Sequence, residues 1–177
     1  PTTTRFYPGF AVFAERRGVD QELLVTKEGS AVSTLEFTEG ASSLLNASKQ
    51  PLSDSSIVAV WAESSASVGD GDGNGDAVSY PDGTDIPLVS IDGQVAGFGT
   101  PLVTDSQSAD ADNEEFLLNV WDQLLGGSGT VRWDESHGQF FGTGKVSKFL
   151  EYAGKNGYTV EAGSAIPSDT STVDGLV

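Results

Sequence analysis

The stretch Asp112–Gly127, DNEEFLLNVWDQLLGG, limits the folds open to this chain more than any other. Leu117, Val120, Trp121, Leu124 and Leu125 recur at helical spacing and lay one apolar stripe along a helix. Asp112 or Asn113 can cap its start, Glu115 follows Asp112 at capping-box distance, and Gly126 and Gly127 end it. GTVRW then reads as a strand over Thr130–Trp133, followed by the turn-rich DESHGQFFGTG. A second helix is expected over about Lys145–Asn156, with Val146, Phe149, Leu150 and Ala153 on one face and Gly157 at its end. YTVEA is a further strand. Strand, crossover helix and strand make a βαβ unit, whose strands run parallel in one sheet. The spacing therefore predicts an α/β fold.

The N-terminal half is less periodic. GFAVFAER reads as a strand or a short helix, and a short helix is expected near Ser42–Ser48. SIVAVWAE, Ser56–Glu63, is an apolar run rich in β-branched residues and reads as a buried strand. IPLVSIDGQVAGFGTPLV reads as two strands joined at Asp92-Gly93, a hairpin dipeptide. STVDGLV starts one more strand, either the sheet's edge or the point where a longer protein is cut. No repeat or long linker divides the chain. Residues 1–177 are expected to form one α/β domain with an irregular, β-rich N-terminal part, for which 1–55 is the alternative lobe.

Nine Lys and Arg stand against 26 Asp and Glu, a formal charge of −17. Such a surface repels phosphates and anionic lipid, so nucleic acid and membrane surfaces are excluded as expected partners. No apolar run is long enough to span a bilayer, so no membrane insertion is expected. A carboxylate-rich surface stays hydrated in concentrated salt, where screening acts within roughly 3 Å. That balance is similar to the proteins of salt-loving archaea. Cysteine is absent, which removes disulfides, thiolate metal sites and cysteine nucleophiles. Methionine is absent too, so Pro1 is read as a processed start or the start of a fragment. Asn46-Ala47-Ser48 is a glycosylation sequon if the protein is exported.

The order DGQVAGFGTPLVTD, NEEFLLNVWDQLLG, strand, DESHGQFF, helix and GYTVEA resembles the class I glutamine amidotransferase-like domains of haloarchaeal surface and exported proteins. The resemblance covers about Ile86–Val177, roughly half the chain, and its most specific element is the WDESHGQ loop. It implies a flavodoxin-like three-layer sandwich with a mainly parallel sheet, and a binding or sensing module rather than a catalyst. Glutamine hydrolysis of that family needs a cysteine nucleophile beside a histidine base, and this chain has no cysteine and one histidine.

Two constellations can carry chemistry. Asp134, Glu135, Ser136 and His137 follow a predicted parallel strand at its carboxyl end, where open α/β sheets place ligands. An imidazole, whose ordinary pKa lies near neutrality, beside Asp134 or Glu135 suits a general base or a mixed nitrogen–oxygen metal site. The structural reading of the same loop is that Asp134 caps loop amides and His137 bonds a neighbouring strand. The second is GDGDGNGDAVSYPDGTD, Gly69–Asp85. Asp70, Asp72, Asn74 and Asp76 alternate with glycines, as in the first half of an EF-type calcium loop. Pro81 stands where the closing carboxylate belongs, and Asp82 follows it. Ca²⁺ on Asp70, Asp72, Asn74, Asp76 and Asp82 is weighed against a merely hydrated acidic loop.

These readings favour a non-catalytic, secreted or cell-surface module of a halophilic archaeon. It would be steadied by Ca²⁺ or by no cofactor, and its partners would be other protein subunits or surface components, or copies of itself in an assembly. Phe140 and Phe141 are contact points or core. The alternative is a metal-assisted hydrolase with Asp134, Glu135 and His137 as catalytic residues. A lesser one is polysaccharide binding on an exposed Trp61, Trp121 or Trp133.

Overall fold

Leu117, Val120 and Trp121 are buried as the apolar stripe requires, and the helix that carries them organises the fold. The structure, a computed structural model, describes residues 4–5, 11–12, 32, 35–37, 43–48, 50, 52–54, 56–62, 69–70, 86–106 and 112–177. The strands are β1 (Thr4–Arg5), β2 (Ala11–Val12), β3 (Leu35–Glu36), β4 (Val58–Trp61), β5 (Gly69–Asp70), β6 (Pro87–Asp92) and β7 (Val95–Phe98). After α1 (Asn113–Leu125) come β8 (Gly129–Asp134), α2 (Ser147–Lys155), β9 (Tyr158–Gly163) and β10 (Gly175–Leu176).

The protein is mixed α/β. β8 and β9 pair in parallel around the α2 crossover, as the βαβ reading expects. β10 returns to the other side of β8, also in parallel, giving the order β10-β8-β9. The expected final strand is therefore present, and among the described residues it lies at one end of this sheet. The second sheet, β4-β6-β7, is antiparallel, and so are the pairs β1-β5 and β2-β3. Among the described residues the pairing is thus mixed rather than mainly parallel. The physical reason is local: β6 and β7 are joined by a two-residue turn, which only antiparallel strands can use. Asp92 and Val95 close the hairpin, so the turn residues are Gly93-Gln94, one position later than the sequence expectation. Gly93 sits at φ +57°, the left-handed value a tight hairpin turn demands.

Three local expectations change. Asp112 makes no side-chain capping bond to α1, and Asn113 uses its amide elsewhere. The helix does end as expected, with Gly126 in the left-handed conformation and its N–H on Asp122 O at 2.9 Å. α2 starts at Ser147 because Thr143–Lys145 forms a 3₁₀ turn first. No helix forms over the described residues 43–48. The Asn46 side chain accepts the N–H groups of Ser48 and Gln50 at 2.9 and 3.0 Å, which offers that backbone an alternative to helical bonding. Ala11–Val12, within GFAVFAER, is a strand.

The core joins both halves of the chain. Leu35, Phe37, Val60, Leu88 and Val89 share one buried cluster with Phe116, Leu118, Val131 and Phe149. Each fully buried side chain of this size contributes about 1.5–3 kcal/mol relative to exposure. Trp121 anchors the helix pair, meeting Phe149 of α2 edge-on at 5.0 Å and Tyr158 of β9 at 5.4 Å. Trp61, Trp121 and Trp133 are all buried, so none offers the exposed platform that polysaccharide binding would need.

Candidate functional site

β8 delivers Asp134 to the carboxyl end of the parallel sheet, and the chain then turns through residues 135–142. The turn is stitched by its own polar side chains. Asp134 accepts the Ser136 N–H at 3.0 Å on one oxygen and meets His137 Nδ1 at 2.7 Å with the other. The Gln139 amide donates to Asp134 O, and its oxygen accepts the His137 N–H at 3.2 Å. The base of the loop is pinned on both sides: Asp134 N–H reaches Val177 O at 2.7 Å, and Glu135 N–H reaches Gly163 O at 2.8 Å.

The three sequence-predicted residues do not converge. Asp134 and His137 form a pair, but Glu135 points away and accepts the Thr143 N–H and hydroxyl at 2.7 and 2.8 Å. Those two bonds, the backbone one first, hold the Glu135 carboxyl below its ordinary range. Asp134 is also held low, by hydrogen bonds from Ser136 chiefly and His137 secondarily, against its partial burial. The His137 side chain is 72% exposed. A carboxylate accepts only from a protonated ring nitrogen, so the contact with Asp134 places a proton on Nδ1. Ser136 Oγ lies 2.9 Å from Nδ1, on the wrong nitrogen to be activated as a nucleophile. The arrangement orients an imidazole without presenting it to a reacting group. Among the described residues no group of three His, Asp or Glu side chains gathers to hold a metal ion.

Beside the loop is exposed apolar ground. Phe140 is 71% exposed, stands edge-on to Phe141 at 4.9 Å, and carries Lys145 Nζ over its ring at 3.1 Å. Phe140 is thus a surface residue, whereas Phe141 is half-buried and borders a cleft of about 630 Å³. The helix α1 supplies the floor with Leu117, Val120, Trp121 and Leu124. One wall is β7, with Ala96 and Phe98, and the other is β10, with Leu176. Asp134, Gln139 and Asp174 reach the lining too.

Sequence reasoning missed this cleft. Its one trace in the sequence is that the apolar stripe of α1 runs on to Leu124 and Leu125, which remain only half-buried. Sequence reasoning also missed Asp105, which caps α2 from outside the helix. Its carboxylate accepts Lys148 N–H at 2.9 Å and Ser147 Oγ at 2.8 Å, and Lys148 Nζ bonds Asp105 O at 2.9 Å. Of the calcium-loop residues, only the backbone of Asp70 is described, paired with Thr4. Asp72, Asn74, Asp76 and Asp82 lie outside the described residues.

A scan against protein-family models and searches of curated proteins and solved structures find no match to this chain. No helix among the described residues is long and apolar enough to cross a membrane.

Proposed function

We propose that the protein is a non-catalytic interaction module, secreted or at the cell surface of a halophilic archaeon, and one part of a larger assembly. The observation that carries this reading is the apolar ground beside the loop, where Phe140 stands exposed under Lys145 and Phe141 leads into the cleft. Exposed aromatic side chains bordering an apolar depression mark contact sites for other proteins. The charge of −17 supports a life in concentrated salt, and the Asp70–Asp82 loop supplies oxygens of the kind Ca²⁺ prefers. The parallel order of β8, β9 and β10 with two packed helices supports a flavodoxin-like three-layer parent fold that has kept its frame without its chemistry.

The second reading, a metal-assisted hydrolase, draws on the exposed side chain of His137. It is weakened by Glu135, which is spent on Thr143.

Assembly is read by sedimentation in molar KCl, with exported proteins of a halophilic archaeon added. Phe140→Ser combined with Lys145→Glu should abolish complex formation while the circular dichroism spectrum is unchanged. Turnover of ester or phosphoester substrates that His137→Ala removes would overturn the reading in favour of the hydrolase.

A further inference from the structure

The cleft is bounded by two unfinished sheet edges. Asp92 and Val95 close the hairpin, Ser90 faces Gly97, and the Gly99 N–H reaches Leu88 O at 2.9 Å. Hydrogen-bonded and non-bonded positions alternate along an antiparallel pair, so Ala96 and Phe98 turn their N–H and C=O groups away from β6. On the far wall, Val177 spends its N–H on Arg132 O and its C=O on Asp134 N–H, at 2.8 and 2.7 Å. Its neighbour Leu176 therefore turns its own backbone groups away from β8. Among the described residues no strand pairs with the outer side of β7 or of β10. Both edges line the same cleft, and α1 floors it with apolar side chains.

Such an edge is a template for an added strand, in which main-chain bonds supply affinity and alternate side-chain pockets supply selectivity. Charge narrows the occupant. Among the described residues the cleft lining holds two carboxylates, Asp134 and Asp174, and no Lys, Arg or His. The whole chain carries −17. We infer that the cleft between β7 and β10 receives an extended, apolar, basic-ended segment of a partner protein as an added strand. The span of β7, Val95–Phe98, matches about 13 Å of extended chain. The apolar side chains of the segment rest on Leu124 and Leu125, the half-buried end of the α1 floor, and its Lys or Arg end reaches Asp134 or Asp174. This inference rests on the interaction reading and names its site and its partner's chemistry.

The probe is a fluorescein-labelled peptide of alternating Val and Thr with Lys at both ends, followed by anisotropy in molar KCl and at lower salt. Saturable binding is expected. N-methylation of every second peptide amide, which removes strand bonding and keeps the side chains, should weaken it at least about tenfold. Leu176→Arg should do the same, because Leu176 is 52% exposed and lines the cleft, so the change leaves the core intact. Replacing the terminal Lys by Glu should weaken binding most at low salt. Absence of saturable binding overturns the inference, and so does equal binding of the N-methylated peptide. A stable dimer of the free protein that Leu176→Arg dissociates would give the cleft to a second copy and overturn it as well. If the peptide fails while the combined Phe140→Ser and Lys145→Glu variant still abolishes assembly, strand docking falls and the interaction reading stands. If both fail, the interaction reading falls with it.

Discussion

Asn113 and Glu36 hold each other through a reciprocal pair of hydrogen bonds across 77 positions of chain. Glu36 N–H donates to Asn113 Oδ1 at 2.9 Å, and Asn113 Nδ2 donates back to Glu36 O at 2.8 Å. The second amide hydrogen goes to Leu102 O at 2.7 Å. One side chain thus completes the backbone bonding of β3 and of the loop before α1, while itself only 5% exposed.

Asn113→Ala leaves three backbone groups without that partner and is expected to destabilise the protein by about 3 kcal/mol. Asn113→Asp faces two carbonyl oxygens with a carboxylate and is no better at neutral pH. Burial and those oxygens raise the new carboxyl's pKa, so the deficit of Asn113→Asp should narrow as pH falls. Denaturant unfolding of both variants at several pH values checks this.

Glu135 predicts an acid-sensitive loop. Its carboxyl is held below the ordinary 4.5 by the Thr143 N–H and hydroxyl. A depressed native pKa contributes stability that is complete above the unfolded-state value and is lost as pH falls through the native one. Wild-type protein should therefore lose stability on acidification below about pH 4.5 more steeply than Glu135→Gln. Unfolding midpoints measured between neutral and strongly acid pH should converge for the two proteins; parallel curves would refute the assignment.

Tyr158 predicts a silent phenol. Burial first, and its bond to Asp122 Oδ1 at 2.7 Å second, push its pKa above the ordinary tyrosine value. Tyr158 should stay protonated in a spectrophotometric titration of the folded protein well beyond the pH at which an ordinary tyrosine ionises. Tyr158→Phe keeps the ring against Trp121 and loses a hydrogen bond to a charged acceptor, at a cost of about 1.5–3 kcal/mol.

The charge predicts a salt requirement. Self-repulsion of a −17 chain opposes the compact state until it is screened. The thermal midpoint should rise with KCl up to molar concentrations, and most of the rise should persist when KCl is replaced by NaCl. A flat response would remove the basis for the halophilic reading.

The parallel unit was legible because helical period, glycine stops and β-branched runs all act within a dozen residues. β8, α2, β9 and the end of α1 lie close to where that patterning puts them. Partners distant in sequence were not legible. Asn113 looks like a helix cap and is a cross-chain bridge, because an amide's target depends on what packs against it. Sequence alone left His137 beside Asp134, beside Glu135 or on a neighbouring strand, and it meets Asp134. Glu135 was grouped with them by adjacency, but neighbours on extended chain point opposite ways. The cleft left almost no trace, since no local pattern reports that two sheets stop short of each other.

β10 is the slightest element of the parallel sheet, two residues long. Asp174 anchors it on Thr130, whose N–H meets the Asp174 carboxylate at 2.7 Å and whose carbonyl accepts the Asp174 N–H at 2.8 Å. Beyond that, Val177 carries the attachment through Arg132 and Asp134. Short, edge-held segments open far more readily than the sheet they border. Peeling β10 away widens the cleft and in the same movement frees the Asp134 amide at the root of the His137 turn. Amide exchange at Asp134 and Val177 is therefore expected to run at a common rate, set by the opening of β10.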